Sequence, residues 1–207
     1  MITQSPKRWK IADPIPLDIS QNLLPYSSAM QQILYNRGIR TAQAAKQYLQ
    51  AALPDNYAPA RMLGISQAVE RILHAIELSQ TIAVYGDYDV DGVTATALLT
   101  LVLKNLGATV VGYIPNRFDE GYGLNNDALK SLQEQGVKLV ISVDCGIRSP
   151  LEAEFARDSE LDLIITDHHQ PADELPKAHA IINPKQPDDP YPDKDLAGVG
   201  IAYKLAT

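Results

Sequence analysis

Thr81–Gly92, TIAVYGDYDVDG, is the stretch on which the fold turns. Five β-prone residues end at Gly86, and aspartates follow at positions 87, 89 and 91. Val93–Leu106 is then apolar nearly all round, which predicts a helix buried against a sheet. A continuously apolar strand followed by a long helix is the pattern of a parallel sheet covered on both faces. The same alternation repeats outward. Ile65, Val69, Ile72, Leu73 and Ile76 predict a preceding helix with Ser66 as its N-cap. Downstream, strands are expected over Val110–Ile114, Leu139–Val143, Leu161–Ile165 and His179–Ile182, with a helix over Asn126–Gln135. Ser149, Pro150, Leu151 and Glu152 read as a capping box that starts another helix. Asn183–Asp195 carries four prolines and reads as a loop, and a last helix begins near Ala197.

The first sixty-odd residues differ. Pro6, Pro14, Pro16 and Pro25 rule out one continuous element there. Two short helices are expected, Ser27–Asn36 with Met30, Ile33 and Leu34 on one side, and a second from Thr41 that gathers Ala44, Ala45, Tyr48, Leu49 and Ala52. Gly38 between them raises a helix-turn-helix, but Lys46 is the second helix's lone basic group, too little for a recognition helix. The expected fold class is therefore α/β, a parallel sheet flanked by helices over 63–207, preceded by a small mainly helical region over 1–62. The final helix is still apolar at Thr207, so the sequence reads as a piece of a longer protein.

Of the 207 residues 45% are apolar, enough for a sizeable core and too many for a disordered chain. With 25 acidic against 18 basic side chains the net charge is −7, which excludes a simple basic DNA-coating protein. No apolar run is long enough to span a bilayer, and no apolar stretch follows Lys7, Arg8 and Lys10 as a secretory signal requires. The lone Cys145 fits a reducing, cytoplasmic compartment.

Ligands of such sheets bind beyond the carboxyl ends of the strands. There the expected strands deliver Asp87, Asp89 and Asp91; Asn116, Arg117, Asp119 and Glu120; Asp144; and Asp167, His168 and His169. Crowded carboxylates repel one another unless a cation sits among them. Asp oxygens with one or two imidazoles suit Mn²⁺ or Mg²⁺, and zinc less well without thiolates. Two ions bridged by one Asp can activate water at a phosphoryl centre and give an acidic chain the charge to hold a phosphodiester. The DxDxDG run opens like a calcium loop, but its twelfth position is Leu98, where a Glu is needed. No phosphate-cradling GxxxxGK[ST] occurs, and acids stand where a dinucleotide site needs glycines. Cys145 reads as a small buried residue. Gly121–Asn125, GYGLN, together with Arg117, offers amides, a guanidinium and a stacking ring at Tyr122, although an ordinary strand-to-helix connection explains these residues equally. Gly198 and Gly200 fit either close backbone packing or a phosphate at a helix N-terminus.

The combination YGDYDVDGVTATALL, PNRFDEGYGLN, SVDCGI, TDHH and YPDKDLAGVGIAYKL resembles the DHH phosphoesterase superfamily and, within it, the N-terminal part of the RecJ family of bacterial single-strand-specific exonucleases. LYNRGIRTAQAAKQYL also resembles the start of that family. The resemblance implies metal binding by Asp89, Asp91, Asp144 and His168, with Asp144 bridging two Mn²⁺ or Mg²⁺ ions and Asp87 a ligand or an orienter of ligands. It implies that Asp167 orients its neighbours and that His169, with Asp144 and Arg117, acts on the scissile phosphate. Asn116, Arg117, Gly121, Tyr122, Gly123, Gly198 and Gly200 are the expected DNA and phosphate contacts. A further metal-binding Asp, and further domains, are implied beyond the last residue of this sequence. The implied function is 5′ to 3′ hydrolysis of single-stranded DNA in repair and recombination, with single-stranded DNA and other replication or repair proteins as partners and no membrane. Two alternatives stand beside it. One is a phosphodiesterase for short RNA or cyclic dinucleotides, and the other a catalytically silent scaffold, which the intact set Asp89, Asp91, Asp144, His168 and His169 disfavours.

Overall fold

Thr81–Tyr85 (β1) points Ile82 and Val84 to one face of a sheet and Ala83 and Tyr85 to the other, all four fully buried in this computed structural model. Residues 10–50, 57–116, 118 and 121–207 are described. β1 is flanked by Val110–Tyr113 (β2) and Val137–Val143 (β3), and the sheet continues through Asp162–Thr166 (β4) to Ala180–Ile182 (β5), every pairing parallel. The order is β2-β1-β3-β4-β5. The chain therefore moves outward in one direction from β1 and in the other from β3, and the crevice between those two strands is where such sheets bind ligands.

Two helical layers cover the sheet. Ile65–Glu77 (α4), Val90–Asn105 (α5) and Gly198–Ala206 (α8) pack on the Ile82/Val84 face, and Asn126–Glu134 (α6) and Pro150–Asp158 (α7) on the Ala83/Tyr85 face. The expected α/β architecture is thus observed, with local differences that have physical causes. Helix α4 is capped by Gly64 in a left-handed conformation (φ 81°), and Ser66 lies inside the first turn. Helix α5 begins at Val90, because the Asp89 carboxylate accepts the Gly92 amide and starts the helix early. It buries Ala95, Leu99 and Leu103 on one face only and leaves Val90, Val93 and Leu101 exposed, so it is not enclosed all round. Ser149 precedes α7 but makes no side-chain capping bond, so the capping box does not form.

The described residues divide between positions 55 and 56 into two units, earlier than the boundary expected at 62. The cause is that Met62 lies in the sheet's core, the Leu63 amide donates to Asp189 Oδ2 at 2.9 Å, and Lys204 Nζ donates to the Tyr57 carbonyl at 3.0 Å. The first unit holds Leu17–Asn22 (α1), Ser28–Asn36 (α2) and Ala42–Gln50 (α3) around Leu23, Leu34 and Ala45. Ser27 and Thr41 cap α2 and α3 through the Met30 and Ala44 amides. Helix α1 is unexpected, lying between two of the prolines, and Met30, Ile33, Tyr48 and Leu49 are exposed. Ala52 lies outside the described residues. No helix among the described residues is long and apolar enough to cross a membrane.

Candidate metal centre

Strand β1 leads into Gly86 and Asp87, β3 into Asp144 and β4 into Asp167, and all three carboxylates are buried. Asp144 takes the left-handed region, φ 61°, a conformation that a non-glycine residue seldom holds without a local reason. Gly92, in the first turn of α5, packs so closely on Asp87 that a Cβ there would lie 2.5 Å from the Asp87 carbonyl oxygen. The closing glycine of DxDxDG therefore serves close packing between strand end and helix.

Two groups of side chains come close enough to hold an ion. Asp87, Asp89 and Asp144 each offer an oxygen within 4.8 Å of the others, and so do Asp144, His168 and His169 with their ring nitrogens. Asp144 belongs to both. Its Oδ1 lies 3.1 Å from His168 Nε2, yet it is buried with no hydrogen-bond partner among the described residues. Burial, and then the Asp91 and Asp89 carboxylates, push the Asp144 carboxyl up to about 7. An orphaned, half-neutralised oxygen amid carboxylates and imidazoles is the environment that a divalent cation relieves, so the donor set fits Mn²⁺ or Mg²⁺.

Asp91, also expected as an ion ligand, makes bonds to the chain beside the centre. Its Oδ2 accepts the Gly198 amide and its Oδ1 the Val199 amide, both at 2.6 Å, which ties the start of α5 to the start of α8; His168 Nε2 lies 3.7 Å from Oδ2. The two explanations for the α8 glycines are thereby separated. The Gly198 amide is taken by Asp91, and a Cβ on Gly198 would stand 2.7 Å from Asp144 Oδ1, whereas at Gly200 the nearest atom would be 3.4 Å away. Close packing accounts for Gly198.

Asp167 is a hub. Its Oδ2 accepts the Ile147 amide at 2.9 Å, while its Oδ1 accepts the His168 and His169 amides and faces His169 Nδ1 at 2.7 Å. Burial alone would raise this carboxyl, but the His169 and Ile147 bonds outweigh it and hold it below the ordinary range. The bond to Asp167 in turn lifts the His169 imidazole above its usual value, against the opposing effect of burial. Tyr122 Oη stands 3.5 Å from His169 Nε2. Burial, followed by the Asp87 and Asp167 charges, raises the Tyr122 phenol, which keeps its proton at neutral pH. The Cys145 thiol is fully buried and pushed up by that burial, an inert core group.

Of the expected phosphate contacts, Tyr122 and Gly123 lie on a loop held by Tyr85, whose hydroxyl donates to the Gly123 carbonyl at 2.9 Å and accepts from Asn125 Nδ2 at 3.1 Å. Gly121 opens that loop with a positive φ of 80°. Asn116 is exposed after β2, and its Oδ1 accepts the Phe118 amide. Arg117, Asp119 and Glu120 lie outside the described residues. Sequence reasoning passed over two supports. The sequence marks Tyr85 only as strand, and the buried Asn183, whose Nδ2 donates to the His169 carbonyl at 2.9 Å, only as loop. Asn183 follows β5 directly, the position that Asp144 and Asp167 hold after their strands, so the same strand-end rule finds it.

The family model for the N-terminal domain of the DHH family matches residues 81–207. The single-stranded-DNA-specific exonuclease RecJ of Bacillus subtilis (strain 168) is 45% identical over 204 residues, 98% of this chain and 26% of that protein. The protein of the same name from Escherichia coli K12 is 40% identical over 177 residues, 85% of this chain and 30% of that protein. A crystal structure of RecJ from Thermus thermophilus in complex with Mn²⁺ superposes with a TM-score of 0.74 at 28% identity, over 96% of this chain and 28% of that one. The chain spans between a quarter and a third of the length of these curated relatives.

Proposed function

The chain belongs to the DHH family, and on that footing we propose that it is the metal-binding part of an exonuclease that hydrolyses single-stranded DNA from the 5′ end. The observation that carries this function is the sharing of buried Asp144 between two groups of side chains close enough to hold an ion. It is supported by relatives that bear the name of a single-stranded-DNA-specific exonuclease and by a structural neighbour that holds Mn²⁺.

When bound, two divalent ions supply an activated water for attack on phosphorus and positive charge for the oxygen that leaves. Asp87, Asp89, Asp91, Asp144 and His168 are the side chains that would hold them. Asp167 fixes the His169 ring through Nδ1, leaving Nε2 to hold or give a proton at a substrate oxygen. Asp91 aligns α5 and α8, so that the acids of the first motif and the start of α8 keep one geometry around Asp144. The Tyr122 loop and Arg117 would steady the strand. Repair and recombination are the setting that this activity implies, the cytoplasm its compartment, and other repair proteins its further partners.

The test is Mn²⁺-dependent degradation of a single-stranded DNA labelled at either end, run with this chain and with a chain of the relatives' full length. Metal-dependent release of mononucleotides from the 5′ end is the expected result. Equal attack on duplex, release from the 3′ end alone, or turnover only of dinucleotides would overturn the assignment.

A further inference from the structure

Beside the metal centre, on the α7 side of the sheet edge, lies a cavity of about 410 Å³, within the range of roughly 300–1,000 Å³ typical of small-molecule sites. His169 and Asp167 line it, so whatever occupies it adjoins the candidate ion ligands. Its base is apolar, formed by Leu124, Cys145 and Ile147, each at most 5% exposed. The Tyr122 ring, 57% exposed, and the exposed Arg148 guanidinium also line it. Arg148 is anchored through Nε, which donates to the Gln170 carbonyl at 2.7 Å, so a planar cation is held in place at the cavity. Ser149 and Glu152 add a hydroxyl and a carboxylate.

These groups select among the parts of a nucleic acid. Asp167, bonded to the His169 imidazole, and Glu152 place two carboxylates on the lining beside the Arg148 guanidinium, so the cavity carries no excess of positive charge for a second phosphate. An apolar base with an aromatic ring and a planar cation accepts a neutral, flat heterocycle, since every nucleobase has a π-face to stack and arginine stacks as well as bonds. Given the phosphodiester chemistry proposed above, on which this step rests, we infer that the cavity seats the base and sugar of one unpaired nucleotide beside the scissile phosphate, with Tyr122 and Arg148 as its recognition groups. Arg148 lies outside every motif position to which the family resemblance gives a role.

The experiment measures binding of deoxythymidine monophosphate and of 2-deoxyribose 5-phosphate, which lacks the base, to the chain in Mn²⁺, with Mn²⁺ affinity recorded separately. The wild type is expected to prefer the nucleotide about tenfold, as one stacked base allows. Arg148→Ala, at an exposed position, and Ser149→Phe, which fills the cavity where no capping bond is lost, should bring that preference close to one and leave Mn²⁺ affinity unchanged. Equal wild-type affinities, or a preference that survives both substitutions, would overturn the assignment. Failure of the wild type to bind Mn²⁺ counts instead against the metal centre. In that event thymidine against deoxyribose, measured in chelator with the same variants, judges the cavity by the same criterion.

Discussion

Asp87 and Asp89 reach the centre from the end of β1 and the cap of α5, whereas His168 and His169 reach it from the end of β4, with Asp144 of β3 between the two pairs. The β1 side offers oxygen alone. Its geometry is set by a helix start, with Asp89 accepting the Gly92 amide and Asp91 accepting two amides of α8. The β4 side mixes oxygen with imidazole, and one buried carboxylate, Asp167, sets both histidines through their amides and one ring nitrogen. An all-oxygen group favours hard ions that keep their waters, and imidazole draws borderline ions such as Mn²⁺. The difference teaches that the two ion positions should be separable, in affinity and in metal preference, although one aspartate serves both.

The most severe way to break the comparison is Asp144→Ala. Because the residue belongs to both groups, Mn²⁺ stoichiometry should fall from two to none, with affinity reduced more than about 100-fold and hydrolysis abolished. Calorimetric titration that still returned one ion would show that the sides do not share this ligand. The next pair sharpens the contrast. Asp89→Asn keeps an N-cap while removing the charge, and should cost the ion on the β1 side. His168→Ala should cost the ion on the β4 side, and should weaken Mn²⁺ more than Mg²⁺. Each variant should titrate with one ion; identical metal preferences in the two would end the distinction.

Much of this was legible in the sequence, for identifiable reasons. The five strands are nearly continuous apolar runs, and the acids that follow them can be placed at one sheet edge by topology alone. What lay beyond reach depends on distances between segments remote in sequence. Nothing near Asp91 announces that its carboxylate binds amides 107 and 108 residues away, and nothing near Gly198 announces Asp144 as its neighbour. Caps failed for a related reason. Ser66 and Ser149 have the right residue type, but a left-handed Gly64 begins one helix and the Ser149 backbone holds its side chain off the cap. The exposed face of α5 escaped because an apolar pattern reports what a helix can bury, not what is there to cover it.

The two glycines of the last motif give a smaller effect with opposite signs. Gly198→Ala drives a methyl group against Asp144, with its nearest contacts at 2.7 and 2.9 Å, so Asp144 must shift and Mn²⁺ affinity should fall roughly tenfold, in the range seen when ligand supports are lost. Gly200→Ala meets Leu196 at an ordinary 3.4 Å and removes a flexible residue from a helix, so stability should hold or rise by up to about 1 kcal/mol. Melting curves and Mn²⁺ titrations on both variants check the pair, and equal effects would mean that Gly198 is not packed against the ligand.

The smallest effect isolates Asp144 from its ion. Its carboxyl rises from 3.8 unfolded to about 7 folded, through burial first and then the neighbouring Asp91 and Asp89. A raised acid binds its proton more tightly in the folded chain. Its contribution to stability is therefore fully present below about pH 4 and is lost as pH rises toward 7. In chelator, the melting temperature of the wild type should thus fall relative to that of Asp144→Asn across this window, because the amide mimics the protonated acid at every pH. Adding Mn²⁺ should reverse the ordering at neutral pH, since the ion then supplies the charge that the proton supplied. Parallel melting profiles for the two proteins in chelator would mean that the carboxylates around Asp144 are already relieved without a cation, and the case for a shared ion ligand at β3 would lose its electrostatic half.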